Sequence, residues 1–107
     1  MRQAALACTL FCPQILVAEG FAGETFSTWS DEVQNAYLQN MVVMSSMVSA
    51  RTSPTHGDCI SKWFFDGSSI RPDRKAEALA TISEYGAHRP EAILIALMER
   101  ACGPFGS

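Results

Sequence analysis

The sequence predicts an all-α fold, a small helical bundle of three longer helices and one short helix, stapled by one disulfide. Three observations predict it. Apolar residues recur at helical spacing in three long segments of the 107-residue chain. Prolines, glycines and small polar residues punctuate those segments where helices start and stop. Two cysteines, Cys59 and Cys102, remain once an N-terminal leader is set aside.

The leader is residues 1–22, which read as a secretory signal peptide. Arg2 supplies its positive start, and Leu6, Leu10, Phe11, Ile15, Leu16 and Val17 its apolar core. Ala18-Glu19-Gly20 offers one cleavage site and Gly20-Phe21-Ala22 a second. Pro13 and Gln14 interrupt the core, which is too short to span a bilayer; that takes about 20 apolar residues. Residues 23–107 then form a single helical domain, expected in the periplasm or secreted. No later stretch is long enough to be transmembrane, so no membrane contact is expected after cleavage. Cys8 and Cys12 leave with the leader.

The net charge is -3, from 8 basic and 11 acidic residues. Cleavage removes Arg2 and Glu19, one of each sign, and leaves the balance unchanged. The basic residues are scattered, which disfavours a nucleic-acid partner. A domain this small buries a modest fraction of its surface and has a thin stability margin. Cys59 and Cys102 are 43 residues apart. Closing such a loop is worth about 4 kcal/mol in the chain-entropy model. The competing reading, a free thiol on Cys59 with His56 or His88 as base, is the weaker one in an exported domain.

Phe21 to Phe26 reads as a short mobile lead-in. Ser27 and Thr28 are N-cap candidates for a helix from about Thr28 to Ala50, with Asp31 and Glu32 in its first turn. Trp29, Val33, Tyr37, Met41, Met44 and Val48 give that helix its period. Leu38, Val42 and Val43 widen its apolar stripe, so it is expected to be central and contacted on more than one side. Arg51 to Asp58 has no apolar residue and carries Pro54 and Gly57, which reads as a loop.

The short helix is expected over Cys59 to Asp66, closed by a turn at Asp66-Gly67-Ser68-Ser69. Pro72 opens the next helix, with Ala76, Leu79, Ile82 and Gly86 on its buried face and Gly86 as its stop. Pro90 opens the last one. Its unbroken apolar run from Ala92 to Met98 is expected to be wrapped on nearly all sides, and Gly103-Pro104 ends it.

Four groups could carry chemistry. Met41, Met44 and Met47 could offer three thioethers to Cu(I) along one side of a helix, or fill gaps in the core. His56 and His88 lack the spacing of a zinc motif and read as solvated or capping residues, although Asp58 could orient His56 as a base. No serine-nucleophile motif, phosphate loop or HExxH is present, so no catalytic residue, metal or cofactor is expected and the protein is not expected to be an enzyme. Trp63, Phe64, Phe65 and Asp66 form the densest aromatic patch. Three adjacent aromatics on one short helix cannot all face one core, which makes this patch the expected partner-binding anchor. The competing reading buries all three as a cap on the bundle.

The chain resembles the Rap1a/Tai family of exported immunity proteins. The resemblance runs from Trp29 to Cys102. It lies in Ala36-Tyr37-Leu38, in Cys59-Ile60, in the junction Glu84-Tyr85-Gly86-Ala87-His88-Arg89-Pro90-Glu91, and in Ala101-Cys102. It implies a small helical disulfide protein that binds and neutralises a cell-wall-degrading toxin. Two other classes remain open on the residues alone. One is a periplasmic acid-stress chaperone that exposes apolar surface when protonated. The other is a Cu(I)-binding protein.

Overall fold

A computed structural model describes residues 21–106. The helical architecture and the Cys59–Cys102 disulfide are both present. The elements are α1 (Gly23–Phe26), α2 (Asp31–Ala50), α3 (Pro54–Phe64), β1 (Phe65–Asp66), β2 (Ser69–Ile70), α4 (Pro72–Glu84) and α5 (Pro90–Cys102). Most of the expected leader, including Cys8 and Cys12, lies outside the described residues. No described helix is long and apolar enough to cross a membrane.

The lead-in is ordered, contrary to expectation. Gly23–Phe26 form one helical turn, and Phe26 is buried in the core against Trp29 and Tyr37. The turn docks by its backbone. The Gly23 and Glu24 amides donate to the carbonyls of His88 and Gly86, at 2.7 and 3.0 Å. A side chain at Gly23 would sit 2.7 Å from the Ile82 carbonyl, so only glycine permits this approach. Phe21 adds its ring to the same aromatic group, 4.7 Å from Trp29.

Helix α2 therefore starts later than the capping signals suggest. Ser27 and Thr28 are spent closing α1: the Ser27 amide and the Thr28 hydroxyl donate to the Gly23 and Thr25 carbonyls. Ser30 caps α2 instead, its hydroxyl accepting from the Val33 amide at 3.2 Å.

The segment read as a loop is largely helical. Ser53 caps α3 by accepting from the His56 amide, and Pro54 takes the first helical position, where a missing N–H costs nothing. Pro54 and Thr55 face water, and the inward positions of this turn are His56 and Gly57, so it carries no apolar signal. Gly57 marks the close crossing of α3 over α2. A Cβ there would lie 2.6 Å from the Ser46 carbonyl oxygen and 2.7 Å from the Ala50 Cβ. In an open helix, Gly→Ala gains about 1 kcal/mol. Here the neighbours cannot withdraw, and overpacking costs about 1–3 kcal/mol. Gly57→Ala is therefore expected to destabilise, and Gly57→Val more so. A denaturant midpoint that rises in Gly57→Ala would refute the close crossing.

After Phe64 the chain extends into a two-residue hairpin. Phe65 pairs with Ile70 and Asp66 with Ser69. Gly67, at φ +67°, makes the turn. Helix α4 buries Ala78 and Ile82, with Ala76 outside, so its inward face is rotated from the expected one. Helix α5 is not wrapped. Leu94, Leu97 and Met98 point inward, while Ala92, Ile95 and Ala96 are exposed. Gly103, at φ +93°, ends it as expected. Ion pairs from Lys75 to Asp31 and from Arg100 to Glu77 tie α4 to α2 and α5, both at 3.0 Å.

Candidate binding surface

The expected aromatic anchor is in the core. Trp63, Phe64 and Phe65 are all buried, and only Asp66 is exposed. The premise that three neighbours on one helix must diverge does not apply here. Trp63 and Phe64 end α3, and Phe65 is already in extended backbone, which resets the direction of its side chain. The trio caps the bundle and offers no aromatic surface.

The methionines move the other way. Met44 and Met47 are 63% and 65% exposed, and Met41 is half-buried. Met41 packs against the core as a gap-filling residue would, and Met44 and Met47 do not. Nor do they face one point: Met41 and Met44 line one groove, while Met44 and Met47 line another.

Exposure of these residues follows from how α2 is packed. At about 100° per residue, its buried side chains Leu38, Val42 and Ser49 share one face. Val33, Asn40, Met44 and Met47 fall on the opposite face and are exposed. No charge interrupts that face between Glu32 and Arg51.

On one flank of this stripe lies a groove of about 310 Å³. Met41, Met44 and Val48 of α2, Ile95 of α5 and Phe105 of the tail line it. Ser45 and Glu99 are its polar members. A concave, mainly apolar site with few polar groups is suited to an apolar side chain or helix edge.

Phe105 is held in place by a polar strut. The His56 Nε2 lies 2.8 Å from the Gly103 carbonyl oxygen, which only accepts, so Nε2 carries the proton. In the neutral ring Nδ1 is then bare and accepts from the Ser49 hydroxyl. The Phe105 ring packs edge-on against the imidazole at 5.2 Å, and its amide donates to Glu99 at 3.3 Å. Ser49 and His56 have the atom roles of a nucleophile and its base. Ser49, however, is only 6% exposed within a helix, so no substrate carbonyl reaches it. Asp58 does not orient His56; it pairs with Lys62 at 3.0 Å. His88 is exposed beside Tyr85. Among the described residues, no three His, Cys, Asp or Glu side chains are placed to hold a metal ion.

A second polar knot joins α2 to α5. The Tyr37 hydroxyl donates to Glu91 at 3.0 Å, and Arg89 pairs with the same carboxylate at 3.2 Å. Burial, and then the Glu91 carboxylate, hold the Tyr37 phenol well above its usual pKa, so it stays a donor. No family model matches the chain, and neither a curated protein nor a solved structure does.

Proposed function

We propose that this protein is exported and acts by binding another protein, with the groove between α2 and α5 as the docking site. The observation that carries the reading is the apolar groove itself. A monomeric domain this small gains nothing in stability from leaving Met44, Val48 and Ile95 in water beside a formed concavity. The disulfide supports an oxidising compartment. Of the two cleavage sites in the leader, the one after Gly20 keeps Phe21 against Trp29.

The partner we propose is a cell-wall-degrading toxin. Tyr37 and Glu91 belong to two separate segments of the immunity-protein resemblance, and here they hydrogen-bond to each other, which supports a shared plan. Binding would occlude the toxin's active-site cleft.

The test uses the oxidised protein as bait in extracts of the cell that exports it. A stoichiometric cell-wall hydrolase is the expected capture. Ile95→Glu places a charge in the groove at a position already 40% exposed, so folding is spared. It is expected to weaken the complex by about 100-fold, the scale of a central hot spot. Undiminished binding by this variant would remove the groove from the interface.

A further inference from the structure

We propose that a second site, the cleft between α4 and α5, binds a small carboxylate that carries an apolar chain. The proposal does not depend on the protein partner or on the groove beside α2. The cleft has a volume of about 380 Å³, within the size range of small-molecule sites. Its residues come from α5, from Thr81 of α4, and from Tyr85 and His88 in the turn between the two helices.

The α5 side is an apolar strip that ends at a cation. Ile93, Ala96, Leu97 and Arg100 recur at i, i+3, i+4 and i+7, so they share one face of the helix. Leu97 is buried and Ile93 half-buried, which makes the strip part of the core's edge. Ile93 lies near the start of α5, beside the turn that carries Tyr85 and His88. Arg100 lies two turns further on, about 10 Å along the axis.

The charge at the Arg100 end is unbalanced. Arg100 donates to one oxygen of Glu77 at 3.0 Å, and Arg74 donates to the other at 3.3 Å. Two guanidiniums share one carboxylate, which leaves one positive charge in excess. Among the described residues, no carboxylate lines the cleft itself. A guanidinium has five N–H donors in a fork that matches a carboxylate, so one bond to Glu77 leaves donors for a second acid. A bare inorganic anion would leave the strip in water, and a neutral apolar molecule would leave the cation unmatched. A monocarboxylate with a chain long enough to run from Arg100 toward Tyr85 uses both.

The opposite wall is fixed in advance. The Tyr85 amide donates to the Thr81 carbonyl at 3.0 Å and the His88 amide to the Tyr85 carbonyl at 2.9 Å. The carbonyls of Gly86 and His88 are in turn held by the α1 amides. A ligand therefore orders little of the protein on entering, which favours binding.

The experiment titrates octanoate into the oxidised full chain and follows backbone amide chemical shifts. Saturable shifts are expected at Thr81, Ala96 and Leu97, with a Kd of about 1 mM, the scale for so small a ligand. Octanamide, which has the chain without the charge, is expected to bind about ten-fold more weakly, the worth of a charge-assisted hydrogen bond. Arg100→Gln should weaken octanoate by a similar factor. Its side chain is 71% exposed and its ion pair is a surface one, so folding is spared, and unchanged shifts at Ile82 and Leu94 check this. Met44→Glu, in the other groove, should leave the octanoate affinity as it was. Three results would overturn the site: no saturable shift at the cleft amides, octanamide binding as tightly as octanoate, or undiminished binding by Arg100→Gln.

Discussion

Replacing both cysteines, Cys59→Ser with Cys102→Ser, is expected to lower the stability of the domain by about 3–4 kcal/mol. The bond closes a loop spanning 43 residues, which includes the aromatic cap, the hairpin, α4 and nearly all of α5. In the open chain that whole stretch regains conformational freedom. A domain of this length shifts its melting temperature by about 4–8 °C per kcal/mol, so the variant should melt roughly 15–30 °C lower. It should still fold when cold, because a small domain holds about 5–15 kcal/mol in total. Thermal unfolding followed by circular dichroism, against the oxidised protein, gives the answer. A shift of only a few degrees would mean that the open chain is already restricted across this loop.

The pieces legible in the sequence are those with local causes. Pro72 and Pro90 open α4 and α5, Gly103 closes α5, and the two late cysteines meet. Each outcome depends on one residue and its immediate neighbours. The pieces that were not legible depend on distant contacts. Phe26 looks like part of a glycine-containing tail until the backbone of α1 docks on the α4–α5 turn. Gly57 looks like a loop residue until α2 passes within a Cβ radius of it.

The exposed apolar surface was hidden for a related reason. The apolar residues of α2 run almost all the way round it, which suggests contact on more than one side, yet its buried side chains share one face. Periodicity cannot say which side the same chain supplies. The bundle covers Leu38 and Val42 and leaves Met44, Met47 and Val48 bare. The Trp63–Phe65 patch is the densest aromatic run, a composition that suits an exposed anchor as well as a core. Its density belongs to the core, since large rings are what a domain with few buried side chains uses to fill space.

Phe26→Ala is the second large effect and the sharpest test of the ordered N-terminal turn. Phe26 is 1% exposed, with ring centroids 5.3 Å from both Trp29 and Tyr37. Its carbonyl also accepts from the Gln34 side chain at 2.9 Å. Removing the ring leaves a hole beneath α1 and takes away the centre of an aromatic group built from three parts of the chain. Truncations of buried phenylalanine cost about 3–5 kcal/mol. The lower end applies if α1 peels away and lets Trp29 settle inward. The upper end applies if the hydrogen bonds from Gly23 and Glu24 hold the turn in place over the cavity. Urea unfolding measures the total. The exchange rates of the Gly23 and Glu24 amides decide between the two ends, since a peeled turn loses protection there and a held one keeps it. A mobile lead-in would give neither result: Phe26→Ala would then unfold at the same urea concentration as the parent.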